Sequence, residues 1–107
     1  MKNDSRVQGM IGLAQRAGKI SSGATQVKQD IKNGRAALVI IAHDASKNTF
    51  KDFCSSCEHY QVPILRWGDK DRLGHIIGKP FRTIIAVRDK GFANRIKQLL
   101  LGEMEMD

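Results

Sequence analysis

ALVIIA, residues 37–42, is an unbroken apolar run rich in branched side chains. It is too short for a helix with a polar face. It matches a strand covered on both sides, the kind found at the centre of a sheet with helices above and below. The flanking segments supply those helices. Downstream, Phe50, Phe53, Cys54 and Cys57 recur at helical spacing behind Ser46, a capping residue. Upstream, Val27 and Ile31 stand one turn apart between Ser22, read as the cap, and Gly34, read as the stop.

The same alternation continues to both ends. Val7, Met10, Ile11, Ala14 and Ala17 trace a first helix, capped by Asp4 or Ser5 and stopped at Gly18, with a short strand at 19–21. VPIL (62–65) reads as a strand whose Pro63 favours a beginning or an edge. Asp69 or Asp71 opens a short helix carrying Leu73, Ile76 and Ile77, closed by Gly78. TIIAV (83–87) is a fourth strand, and Phe92, Ile96, Leu99 and Leu100 mark a last helix before Gly102. Helices alternating with buried-type strands predict an α/β sandwich with helices on both faces of the sheet. In such sheets ligands meet the loops at strand ends and the following helix starts. The loops so placed are Ser21–Gln26, His43–Lys47 and Gly78–Arg82, all polar or basic.

The chain has 107 residues, the size of one domain. Its 18 Lys and Arg against 11 Asp and Glu give a formal charge of +7. Three of the acids, Glu103, Glu105 and Asp107, fall in the last five residues, so residues 1–102 hold 18 basic against 8 acidic groups. We therefore expect one basic domain over 1–102 and an acidic tail over 103–107. An excess of this kind attracts polyanions; its plainer reading is solubility. No apolar run approaches the ~18–20 residues that span a bilayer, and MKNDSRVQGM lacks the apolar stretch of a secretory signal. The expectation is a cytoplasmic chain with no membrane partner.

Enzymatic readings fare poorly. Cys54-Ser55-Ser56-Cys57 is a C-x-x-C, but redox versions place the first Cys at a helix start, and here Cys54 lies well inside a predicted helix in register with Phe50 and Phe53. A zinc site would need two further ligands at compatible spacing, and His43, His59 and His75 form no paired motif. Core packing of at least one cysteine is expected instead. His43-Asp44 specifies no nucleophile, and adjacent residues in an extended segment point apart. Neither a phosphate-binding Gly-x-x-x-x-Gly-Lys loop nor a Gly-x-Gly-x-x-Gly fingerprint is present. The expectation is no catalytic residue, no metal, no cofactor and no small-molecule substrate. More suggestive is GKPFRT (78–83), where Lys79 and Arg82 flank Phe81: cations beside an aromatic ring suit unstacked RNA bases. A phenylalanine just before a strand is more often buried than exposed, so this reading hangs on where the ring points.

The order of GATQV (23–27), AALVIIAHDA (36–45), CEHYQVPI (57–64) and LGHIIGK (73–79) resembles the L-seven-Ae family of RNA-binding ribosomal proteins. IGLAQRAGKI (11–20) and RDKGFANRIKQLL (88–100) look most like its bacterial, YlxQ-type branch. The resemblance runs from about Val7 to Leu101. It implies a three-layer α/β/α sandwich with a four-stranded mixed sheet, no catalysis, and binding of structured RNA, often kink-turns, near the ribosome. In the family a Gly-x-Asn-Glu-x-x-Lys motif at the second helix start reads paired G·A bases and adjacent phosphates. Gly23 matches the glycine; Thr25, Gln26 and Gln29 replace the Asn, Glu and Lys, and Lys28 stands one position early, rotated ~100° on a helix. Gln26 can accept from a guanine edge without the strength of a carboxylate, and Thr25 lacks an amide's paired donor and acceptor. Asp44 and Lys47 fall in the loop flanking this site in relatives, and Lys79–Arg82 in the loop packed against extruded bases. The resemblance thus implies phosphate contacts from Lys28, Lys32, Arg35, Lys47, Lys79 and Arg82, and base contacts from Thr25, Gln26 and Phe81. The alternative is an adaptor for proteins of the ribosomal or transcription–translation machinery, whose kink-turn-reading site has drifted.

Overall fold

A computed structural model describes residues 4–102, so the acidic tail expected at 103–107 lies outside the described residues. The elements run α1 (Asp4–Arg16), β1 (Ile20–Ser22), α2 (Ala24–Lys32), β2 (Leu38–Ile41), α3 (Lys47–Tyr60), β3 (Ile64–Arg66), α4 (Lys70–Ile76), β4 (Ile84–Val87) and α5 (Lys90–Leu100). The strand order is β1-β4-β2-β3. β4 pairs antiparallel with both β1 and β2, whereas β3 lies parallel to β2, which makes the sheet mixed.

β2 and β4 are central, and every residue of both is buried. Alternate side chains go to opposite faces because strand periodicity is two. Leu38, Ile40, Ile85 and Val87 pack with Val7 and Ile11 of α1, Leu73 of α4 and Ile96 and Leu99 of α5. Val39, Ile41, Ile84 and Ala86 pack with Val27 and Ile31 of α2 and Phe53 and Cys57 of α3. The result is three layers, α/β/α, with α1, α4 and α5 on one side and α2 and α3 on the other. Each fully buried Ile or Leu stabilises the fold by roughly 1.5–3 kcal/mol relative to exposure.

Local signals set most helix ends. Ser46 accepts from the Thr49 N–H at 3.1 Å, Asp69 from Arg72 at 2.7 Å and Asp89 from Phe92 at 2.9 Å. Asp69, not Asp71, therefore starts α4. Two caps differ from expectation. Asp4 and Ser5, expected to cap the first helix, both lie within α1. Ser22 ends β1 and does not cap α2; the N-cap is Gly23, at φ 90° and ψ 151°, with no side-chain cap. The strand at VPIL also starts later, at Ile64, and sits at the sheet edge, since Pro63 has no N–H to give; its carbonyl still accepts from Val39. α1 is tied to α4 where Asp4 accepts from the Trp67 indole at 3.1 Å and from Arg72 at 3.4 Å. The Trp67 hydrogen bond holds the Asp4 carboxyl below the usual range.

The C-x-x-C behaves as core. Cys57 is buried and Cys54 half-buried, both reduced. Burial, reinforced by the neighbouring Cys54, pushes the Cys57 thiol up to about 11. A raised thiol pKa means the native state holds its proton longer than the unfolded chain. That contribution to stability is intact below the ordinary thiol range and is lost as pH rises toward 11. In a thiol-reagent assay at pH 8, Cys57 is expected to stay unmodified in the native protein and to react only after denaturant is added. Rapid native modification at Cys57 would contradict this packing.

Candidate functional site

The start of α2 is built by Gly23. Its N–H donates to the Ile84 carbonyl at 3.1 Å, and its positive φ turns the chain off β1 directly into the helix. Only glycine takes that conformation without strain. With no side-chain cap, the first N–H groups of α2 point outward, and a helix start in this state favours anions. Beside it lies a cleft of about 330 Å³, formed by Ser22, Gly23 and Ala24 on one side, Phe81 and Arg82 on the other, and Thr49 of α3.

The loop carrying Phe81 is held tightly. The Lys79 N–H donates to the Gly74 carbonyl at 2.8 Å, and the Arg82 N–H donates to Lys70 at 3.0 Å. The Arg82 guanidinium donates to the Ser22 hydroxyl at 3.2 Å and to the Phe81 carbonyl at 2.7 Å. A hydroxyl expected to cap a helix thus fixes a cation at the cleft instead. The Phe81 ring, 54% exposed, lies open at the cleft edge. The usual burial of a phenylalanine before a strand does not hold here: the loop backbone lies directly against Gly74, and the side chain is left at the surface. A Cβ on Gly74 would meet Phe81 Cα at 2.4 Å.

Next to the cleft-lining Ala24, Thr25 and Gln26 continue the first turn of α2 and are exposed. Gln26 is not free to rotate. Its amide nitrogen donates to Asp30 at 3.1 Å, leaving its carbonyl oxygen as the acceptor available to a ligand. Asp30 is fully buried. It also accepts from the Ser21 hydroxyl and from Arg88, whose guanidinium reaches one carboxylate oxygen at 3.3 Å and the other at 3.2 Å. Three side chains, from β1, α2 and just past β4, therefore share one carboxylate, and no buried side-chain polar atom is left without a partner among the described residues.

The other residues singled out from the sequence fall into two groups. Lys47, at the start of α3, is exposed, and Lys79 is exposed in a hollow lined by Gln8, Asp71, His75 and Pro80, outside the cleft lining. Lys32 and Arg35 are exposed at the far end of α2, roughly 13 Å along a nine-residue helix. Gln29 is exposed on that helix. Lys28 pairs with Asp52 of α3 at 2.7 Å and lies 5.1 Å from the centre of the Phe53 ring, turned toward α3. Asp44 accepts from the Lys70 N–H at 3.0 Å, joining the loop after β2 to the start of α4. His43 is exposed.

Sequence reasoning passed over Asp30, Arg88 and Gly74. Asp30 did carry a signal: a lone acid three residues after Val27 and next to Ile31, on the border of the apolar stripe. Its partner Arg88 is 58 residues away, and nothing local announces that pairing.

A three-layer α/β/α sandwich with a basic, aromatic-edged cleft at a helix start defines the class. The profile of the "Ribosomal protein L7Ae/L30e/S12e/Gadd45 family" matches residues 5–97, and the chain belongs to this family. It is 44% identical over 91 residues to the "RNA-binding protein YlxQ" of Bacillus subtilis, covering 85% of this chain and 91% of that one. It is 30% identical over 86 residues to the "Large ribosomal subunit protein eL30" of Methanosphaera stadtmanae, covering 78% and 88%. The solved structure of the "Giardia lamblia 15.5kD RNA binding protein" superposes with a TM-score of 0.80 at 21% identity over 99% of this chain and 90% of that one, a likeness of fold.

Proposed function

We propose that this chain is a non-enzymatic, ribosomal-type RNA-binding protein of the cytoplasm that grips structured RNA at the cleft between the start of α2 and the Lys79–Arg82 loop. The observation that carries the reading is the exposed Phe81 ring beside a clamped Arg82 in a cleft at the start of α2, the helix whose first turn presents an exposed Gln26 held through its amide nitrogen by Asp30. An unstacked base can lie on the ring and a guanine edge can donate to Gln26, while Arg82, Lys79, Lys47 and the uncapped N–H groups take phosphates. Thr25 and Gly23 shape the helix start. Lys32, Arg35 and Gln29 lie further along α2 and suit a flanking strand of a larger RNA. Asp44 acts indirectly, by holding the loop after β2. The alternative of a drifted site is separable by experiment.

The test is a titration against a kink-turn RNA and a matched RNA whose G·A pairs are replaced by Watson–Crick pairs, across a salt series. Binding that collapses on replacement supports base reading at Gln26 and Thr25. Equal, purely salt-driven binding would mean that these residues read no G·A pair. Phe81→Ala is expected to weaken binding by about 1–3 kcal/mol, as for loss of one stacked base. Arg82→Ala should lower affinity and flatten the salt dependence, since it removes a cation facing phosphate. Lys28→Ala should have a smaller effect, because that ammonium is already engaged by Asp52. Affinity unchanged in both Phe81→Ala and Gln26→Ala would remove this cleft from consideration.

A further inference from the structure

We propose that the groove between α1 and α5 is a docking site for an acidic, amphipathic helix of a partner protein, on the layer of the fold opposite α2. The groove, about 510 Å³, has an apolar floor of Met10, Leu13 and Leu99 and a rim of Arg6, Arg16 and Arg95. Leu13 is 45% exposed in it, and Leu101, two residues beyond Leu99, is also exposed. On α1 the residues Arg6, Met10, Leu13 and Arg16 recur at three- and four-residue spacing, so a cation stands at each end of an apolar stripe. Among the described residues, no ion pair joins Arg6, Arg16 or Arg95 to an acid.

Gly9 gives the independent sign of an occupant. It lies within α1, where glycine lowers helix stability relative to alanine. Nothing among the described residues requires it: a Cβ there would have none of their atoms within 4 Å. Its φ is helical, so no turn calls for it either. A bare, exposed backbone in the lining of an apolar groove is what lets a second helix approach closely, as small residues do at helix crossings. Helix-in-groove binding reads apolar anchors at the same three- and four-residue spacing, and three arginines that pair with no acid among the described residues select carboxylates on its flanks.

Other occupants fit less well. A second copy of this chain would set the three arginines against three arginines. RNA would find no aromatic surface in the groove on which to stack. The sheet separates α1 and α5 from α2 and α3, so docking here leaves the RNA cleft open.

The experiment places a photo-crosslinking amino acid at Leu13 of the full chain in cells, with the same group at exposed Tyr60 as control, and maps the crosslinked peptide by mass spectrometry. The expected product, seen at Leu13 and not at Tyr60, is a protein segment with carboxylates flanking apolar residues at helical spacing. In a Gly9→Gln background its yield should fall at least tenfold, and likewise in Arg6→Glu/Arg95→Glu. Gly9→Gln should leave the melting temperature equal or higher and RNA affinity unchanged, which keeps failure of this proposal distinct from failure of the RNA reading. Crosslinks to RNA, to a second copy, to residues 103–107 of the same chain, or none above the Tyr60 control would overturn it. So would a crosslink that persists in Gly9→Gln.

Discussion

Replacing Asp30 with alanine is expected to lower the stability of the fold by about 3 kcal/mol, read from urea unfolding at neutral pH. The carboxylate is fully buried and accepts from Ser21, Gln26 and Arg88. Removing it strands the hydroxyl and the guanidinium together, and breaking a buried pair from one side costs about 3–5 kcal/mol. The lower end applies because the Arg88 side chain is 32% exposed and can turn partly toward water. Asp30→Asn, which keeps the shape and one acceptor, should cost less. A double-mutant cycle with Arg88→Ala should show coupling of about 0.5–3 kcal/mol, as for residues in one network. A loss under about 1 kcal/mol for Asp30→Ala would show that the network contributes little. The same substitution also releases the Gln26 amide, so RNA affinity should fall along with stability.

Gly74→Ala is expected to destabilise the protein by about 1–3 kcal/mol, seen as a lower melting temperature, and to weaken RNA binding. In a helix interior this change normally gains about 0.5–1 kcal/mol. Here the sign reverses, because a Cβ would fall 2.4 Å from Phe81 Cα, 2.7 Å from Phe81 N and 2.9 Å from the Lys79 carbonyl oxygen. All three atoms are backbone and cannot rotate away, so the loop itself must lift. That loop carries Phe81 and Arg82, and its shift would break the Lys79–Gly74 hydrogen bond that holds it down. Gly9→Ala is the internal control: with no neighbour within 4 Å of the new Cβ, it should stabilise. Two glycine-to-alanine changes of equal propensity but opposite sign would isolate the steric effect. If Gly74→Ala melted at or above the parent temperature, the close approach of loop and helix would be wrong.

The architecture was legible because its signals are local. A continuous branched run at 37–42, strand-like segments near 64 and 84 and apolar stripes at helical spacing specify buried strands between amphipathic helices, and the structure has them in that order. The family resemblance pointed to the start of α2 and to the Lys79–Arg82 loop, which the fold does bring to one cleft. Individual side chains were less legible. Ser22 was read as a cap and instead orients Arg82. What the sequence does not announce for Lys28, expected at a phosphate, is the ion pair its ammonium makes with Asp52. The end of α3 has no glycine; Gln61 takes the left-handed conformation at φ 59° in its place.

The sequence by itself determined the kinds of element, their order, the layers they form and the basic surplus that seeks a polyanion, because periodicity, capping and charge are properties of neighbours along the chain. Only the tertiary structure decided that Gln26 is aimed by a buried Asp30, that Arg88 completes that site from 58 residues away, and that Phe81 stands exposed over Gly74. Those outcomes depend on which side chains meet across the sheet. A single shared carboxylate, or a missing Cβ, settles them with energies that are a sizeable fraction of the net stability of a domain.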